Sequence, residues 1–184
     1  MYKQIQELIR NGSFKRPTQA AHSNGNEIIQ GFNPEIMRKI NSKSEIMTKD
    51  LEAINSLLSS KKLKKIDVHI SSLREAFLTL VILHSPLGNQ LRYVFVSNAD
   101  IMQDLEKFRR DISEIRTSLI SFLLEWGKKQ ITEGNFYEFQ SQFYELEDKL
   151  SQYLKVIAPK VNEFHDHAYA LLKANTDSST AKAV

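Results

Sequence analysis

Apolar residues recur at alternating four- and three-residue spacing through most of the second half of the chain. The first run comprises Ile101, Leu105, Phe108, Ile112, Ile115, Leu119, Phe122 and Trp126. The second run comprises Phe136, Phe139, Phe143, Leu146, Leu150, Leu154, Ile157, Val161, Phe164, Ala168 and Leu171. A helix whose apolar residues repeat about every 3.5 residues keeps one seam turned toward a neighbouring helix. The spacing therefore predicts long amphipathic helices that pack against one another.

Residue patterns typical of helix starts divide the chain into four helical segments. The patterns are Asn33-Pro34-Glu35 for helix 1, Asp67 for helix 2, Ser97 with Asp100 for helix 3, and Asn135 with Glu138 for helix 4. In each, a side-chain oxygen is placed to accept a hydrogen bond from the first turn, and an acidic residue favours the positive end of the helix dipole. Four consecutive helices are therefore expected.

Two prolines fall inside the predicted helices, Pro86 in helix 2 and Pro159 in helix 4. Proline lacks the N–H that a helix needs and its ring crowds the preceding turn. We therefore expect helix 2 to be kinked near Pro86 and helix 4 to be bent near Pro159. In helix 4 the steps across Leu146, Leu150 and Leu154 are both four residues, a stutter that locally unwinds a supercoil.

The predicted fold is an all-α, antiparallel four-helix bundle, because four helices of comparable length joined by short loops pack side by side. The bundle is expected to occupy residues 34–174. Residues 1–33 combine a short helix near 2–10 with a segment rich in Gly, Asn and Ser, which is typical of a flexible chain. Residues 175–184 have a similar composition and are predicted to be a disordered tail.

The chain contains no cysteine, which excludes disulfides, thiolate nucleophiles and cysteine-ligated zinc. No segment approaches the roughly 20 consecutive apolar residues of a membrane-spanning helix. The first ten residues mix polar and apolar side chains, unlike a secretory signal. These features favour a soluble, cytoplasmic protein, and they leave open its delivery into another cell by a specialised secretion system.

Positive charge is concentrated in the first half of the chain. Residues 1–97 carry 14 Lys and Arg against 8 Asp and Glu, whereas residues 98–184 carry 11 against 14. The candidate contacts for phosphate or an acidic partner are Lys61, Lys62, Lys64 and Lys65, with Lys15 and Arg16 as additional candidates. Alternatively, the lysine run only offsets the negative end of the helix 1 dipole. The run contains no arginine or aromatic residue, so base recognition is not expected.

His84 is the ionisable residue that falls on the apolar stripe of helix 2. Ligand sites in helical bundles are built from such inward-facing side chains, but the Glu-x-x-His motif of metal-binding bundles is absent. A neutral histidine bonded to a carbonyl group freed by Pro86 is therefore favoured.

Tyr137 and Tyr144 are seven residues apart on one face of helix 4, outside the seam. They are a candidate partner-binding face, with partial burial at the bundle edge as the alternative.

Sequence motifs of catalysis are missing from the chain. There is no glycine-rich phosphate loop, no Gly-x-Ser-x-Gly and no His-Glu-x-x-His. His165 and His167 are two residues apart, and side chains at that spacing point in different directions on a helix. The sequence therefore predicts no enzyme activity, no cofactor and no metal.

We interpret the sequence as a non-enzymatic interaction module, such as an adaptor, chaperone, scaffold or effector. Helix 2 supports a protein partner or self-association, because Phe77–Leu83 is apolar nearly all round and must be central in the fold or covered by a second subunit. The first alternative is a nucleic-acid-associated protein that uses the basic N-terminal half. The second alternative is a ligand-binding bundle centred on His84.

Overall fold

The computed structural model describes residues 34–63 and 65–181, in which every regular element is helical. The helices are α1 (Pro34–Ser59), α2 (Ile66–Val94), α3 (Ala99–Trp126), α4 (Phe136–Gln152) and α5 (Ala158–Ala181), and a π-helical turn, Tyr153–Ile157, joins the last two. The prediction of an all-helical chain with four helices is confirmed, because α4, the π-helical turn and α5 are continuous and form the fourth. The predicted N-terminal segment 1–33, with Lys15 and Arg16, and Lys64 lie outside the described residues.

The chain leaves α1 through a compact backbone motif. The Lys62 N–H donates to the Leu57 carbonyl at 2.9 Å, and the Lys61 N–H donates to the Leu58 carbonyl at 3.1 Å. These two bonds define a Schellman motif, in which the residue at the position of Lys61 adopts a left-handed conformation and is usually glycine. Lys61 has a φ of 52°. Lys61 and Lys62, which were expected at the end of helix 1, therefore lie in the loop that follows α1.

Two predicted helix caps are wrong by one or two residues. Helix α2 begins directly after Lys65, whose φ is 76°, so Asp67 lies inside the first turn and does not cap it. Helix α3 is capped by Asn98 instead of Ser97, because the Asn98 side chain accepts a hydrogen bond from the Ile101 N–H at 3.1 Å. The cap depends on where the preceding loop turns, which the local sequence leaves open by a residue or two.

The apolar stripes form one core. Helix α1 packs against α2 and α5, α2 also packs against α3 and α5, and α3 packs against α4. The buried residues of α3 are Leu105, Phe108, Ile112, Ile115, Leu119, Phe122 and Trp126, and those of α4 are Phe136, Phe139, Phe143, Leu146 and Leu150. All of them belong to the predicted stripe. In α1, Met37 is buried and Ile36 is partly buried against the core.

The π-helical turn shifts the core register just before Pro159. Within it, the Ala158 N–H donates to the carbonyl of Tyr153, five residues earlier. Tyr153 is fully buried, whereas Leu154, which the spacing placed on the core stripe, is partly buried and packs against the core. A wider turn uses an extra residue, and this accommodates the proline that follows. Helix α5 then runs to Ala181, into the segment for which the composition predicts a tail.

Helix α2 is unbroken across Pro86, from Ile66 to Val94. Within the apolar run Phe77–Leu83, Ile82 is 56% exposed and the other residues are buried or partly buried. Most of the run therefore packs within this one chain.

Candidate functional site

Lys61 and Tyr137, which the sequence assigned to helices 1 and 4, lie next to each other in the structure. The ammonium group of Lys61 lies 5.7 Å from the centroid of the Tyr137 ring, which is a cation–π distance. The Tyr137 side chain is 67% exposed and lies in the first turn of α4. The lysine loop after α1 and the start of α4 thus form one surface.

The loop before α4 is held together by the Asn135 side chain. The side-chain oxygen of Asn135 accepts a hydrogen bond from the Thr132 N–H at 2.7 Å, and its amide group donates to the Gln130 carbonyl at 3.1 Å. Asn135 therefore precedes α4 as predicted, but its side chain braces the loop and does not cap the helix. The buried Phe136 ring packs edge-on against the Tyr137 ring at 5.4 Å.

Three exposed lysines, Lys61, Lys62 and Lys65, and Tyr137 define what we call the basic end of the molecule. None of these lysines forms an ion pair with a carboxylate of the described residues. Lys129 differs, because its ammonium group bonds to Glu125 at 3.2 Å and lies 4.7 Å from the Trp126 ring. The three lysines of the basic end are therefore available to an acidic group on another molecule.

Tyr144 lies two turns after Tyr137 on α4 and is 42% exposed. Its hydroxyl accepts a hydrogen bond from the Gln140 side chain at 3.2 Å, and its ring packs beside that of Phe143 at 6.4 Å. The structure thus exposes both predicted tyrosines but places the lysine contact at Tyr137.

His84 pairs with a residue that sequence reasoning missed. Its Nε2 lies 2.6 Å from the hydroxyl of Tyr153, and the two rings meet edge to face at 5.5 Å. The predicted partner, a carbonyl group near Pro86, is therefore replaced by a hydroxyl of the π-helical turn. Tyr153 was missed because the four-residue spacing from Leu150 pointed to Leu154 as the buried residue.

Burial sets the charge state of this pair. It lowers the pKa of His84 to about 4 and raises the pKa of Tyr153 well above its ordinary value. Both side chains are neutral at pH 7, so one can donate and the other accept the hydrogen bond between them. The pair is suited to holding α2 against the π-helical turn.

A cleft of about 470 Å³ opens beside His84, between α2 and α3. Its apolar surface includes Leu87, Leu105, Phe108, Ile112 and Val161. Its polar surface includes three arginines, Arg92, Arg109 and Arg116, after which we call it the arginine groove. The sequence did not single out these arginines, because they are spread over two helices and form no run.

The histidines in the first half of α5 do not converge on a metal site. His165 is buried and bonded to Asp166 at 3.2 Å, whereas the exposed His167 packs its ring 5.2 Å from that of Phe95. Glu163 is engaged by Lys160 at 2.9 Å. Across the described residues, no three His, Asp or Glu side chains are grouped as metal ligands would be.

Comparison with known protein families, curated proteins and solved structures found no match to this chain. None of the helices described here has an apolar stretch long enough to cross a lipid bilayer. The function is therefore argued from the geometry of the basic end and the arginine groove.

Proposed function

We propose that the protein is a non-enzymatic interaction module that binds an acidic segment of a partner protein through its basic end. The observation that carries this proposal is the conformation of Lys61. Its left-handed backbone is disfavoured for a residue with a Cβ by about 1–3 kcal/mol, and glycine would adopt it freely. Residues retained in such conformations are often found at functional sites.

The side-chain environment of Lys61 supports the same proposal. Its ammonium group lies over Tyr137, a residue type that is enriched where partner proteins bind most strongly. Lys62 and Lys65 are exposed close by in the same loop. An acidic segment can pair with these lysines while an apolar or aromatic side chain of the partner packs on Tyr137.

We also propose that the helices form an antiparallel four-helix bundle, with α2 kinked near Pro86 and the fourth helix bent near Pro159. The packing of α1 on α2, of α2 on α3, of α3 on α4 and of α1 on α5 supports this arrangement. An antiparallel order brings the loop after α1 and the loop before α4 to the same end. The contact between Lys61 and Tyr137 is consistent with that order.

Affinity capture from the native organism tests the proposed function, with the lysate treated with nuclease. The variants are Lys61→Gly and Tyr137→Ala, and the matched control is Lys129→Ala, whose cation is already engaged by Glu125. The captured partner is then titrated against each protein. We expect Lys61→Gly and Tyr137→Ala each to weaken binding about tenfold, equivalent to about 1.4 kcal/mol, and the control to bind like wild type.

Folding does not confound this test. Lys61→Gly loses a cation–π contact of about 0.5–1 kcal/mol, and relief of the left-handed backbone, on the order of 1 kcal/mol, offsets that loss. Its free energy of unfolding should therefore equal or exceed that of wild type. Equal partner affinity for all four proteins would contradict the proposal. Capture that nuclease abolishes would instead favour the nucleic-acid alternative.

A further inference from the structure

The two edges of the arginine groove carry the same kinds of polar group. On α2, Ser85, Asn89 and Arg92 follow one another at four- and three-residue spacing, which places them along one helix face. On α3, Arg109, Ser113 and Arg116 repeat that spacing. Hydroxyl and guanidinium groups thus border the apolar floor on both sides.

The groove has an excess of positive charge. No Asp or Glu is among the described residues that line it. Glu106 lies nearby and pairs with Arg92 at 2.9 Å and, more distantly, with Arg109 at 3.8 Å. Arg116 forms no ion pair within the described part of the chain. One carboxylate therefore pairs with two of the three guanidinium groups, and the neutral His84 adds no charge.

The volume of the groove is that of a pocket for a small molecule. Pockets for small molecules usually have volumes of about 300–1,000 Å³, and this cleft measures about 470 Å³. The groove is therefore large enough for a single small amphiphile.

We propose that the arginine groove binds a small amphiphilic anion, with an apolar chain on the floor and one carboxylate or phosphate head at Arg109 and Arg116. A guanidinium group holds such a head through paired, charge-assisted hydrogen bonds. This site is separate from the basic end and does not depend on the function proposed for it.

Calorimetric titration of the full chain with dodecanoate, below its critical micelle concentration, tests this site. We expect a Kd of about 1 mM or tighter, which is the affinity of a modestly efficient ligand with so few atoms. Dodecyl phosphate should bind comparably. Dodecyltrimethylammonium and 1-dodecanol should bind at least about tenfold more weakly, because they lack the anionic head.

Two variants locate the binding in the groove. Arg109→Gln combined with Arg116→Gln should weaken dodecanoate binding at least about tenfold, because it removes both head-group contacts. Gly88→Phe should also block it, since Gly88 lines the groove and a Cβ built there meets no atom within 4 Å. Arg110→Gln, on the same helix but outside the groove, is the matched control and should bind like wild type.

Several outcomes overturn the proposal. They are dodecanoate binding weaker than about 1 mM, equal affinity for the cationic and uncharged amphiphiles, and unchanged binding by the double arginine variant. Association with vesicles of phosphatidylglycerol and phosphatidylcholine without binding of dodecanoate would also overturn it, because the anionic surface of a bilayer would then be the ligand. The double variant alters side chains at the rim of the groove, so circular dichroism should show wild-type helix content.

Discussion

Replacing Tyr153 by phenylalanine removes one hydroxyl group and keeps the aromatic ring. The ring contacts with Phe77 at 5.9 Å and with His84 at 5.5 Å are retained. The hydroxyl group that is lost lies 2.6 Å from Nε2 of His84, in a buried environment. A buried polar atom left without a partner destabilises a protein by about 1–3 kcal/mol. We therefore expect Tyr153→Phe to lower the free energy of unfolding by about 2 kcal/mol and the melting temperature by about 4–8 °C.

A double-mutant cycle identifies the cause of this loss. In the double variant His84→Leu with Tyr153→Phe, both polar groups are replaced by apolar ones, which is often nearly neutral. The two single variants should therefore sum to a larger loss than the double variant shows, with a coupling of about 1–3 kcal/mol. Urea unfolding at pH 7.5, followed by circular dichroism, measures all four proteins.

Tyr144→Phe is the matched control, because the Tyr144 hydroxyl bonds to Gln140 on the exposed surface. It should change stability by less than about 0.5 kcal/mol. If Tyr153→Phe behaves like this control, the pair does not stabilise the fold. Single-variant effects that add to within about 0.5 kcal/mol would also refute the reasoning, since independent sites are additive.

The remaining predictions concern stability and use the same urea assay. Burial lowers the pKa of His84 from 6.5 to about 4, so between these values the unfolded chain binds a proton that the folded chain does not. Stability therefore falls with acidification, and wild type should lose about 2 kcal/mol more than His84→Leu between pH 7 and pH 5. Gly88→Ala should stabilise the protein by about 0.5–1 kcal/mol, because the helix interior there has room for a Cβ. Gly127→Ala should destabilise it by about 1 kcal/mol or more, since its Cβ would lie 2.5 Å from the Leu123 carbonyl oxygen. Asn98→Ala should destabilise it by about 1 kcal/mol through loss of the α3 cap.

Three results would contradict these stability predictions. Parallel pH profiles for wild type and His84→Leu would show that His84 takes up its proton equally readily in the folded and unfolded chains. A destabilising Gly88→Ala would show that the groove closes around that position. A neutral Asn98→Ala would place the effective cap elsewhere.

Helix α3 shows which structural features can be predicted from the spacing of apolar residues. Its buried residues from Leu105 to Trp126 all belong to the predicted stripe, because a 3.5-residue spacing is a local property of one helix. The start of the helix was less accurate, since Asn98 caps α3 where Ser97 was expected. The loop that follows, residues 127–135, is braced by the Asn135 side chain through its bonds to Thr132 and Gln130.

Within the fourth helix the sequence was informative about one feature and misleading about another. Pro159 drew attention to this region, and the π-helical turn ends two residues before it. The residue that the turn buries could not be predicted from regular spacing, because a π-helical turn changes the spacing itself. Tyr153 was therefore overlooked, and with it the partner of His84.

By itself the sequence determined that this chain is helical, where its main apolar faces lie, and which lysines, tyrosines and histidine could carry a function. Those properties follow from local composition and from periodicity along single helices. The tertiary structure decided which of these residues meet. Lys61 reaches Tyr137, His84 reaches Tyr153, and three scattered arginines border one groove. Such contacts depend on how separate helices align and on a single extra residue in a turn, which no local pattern encodes.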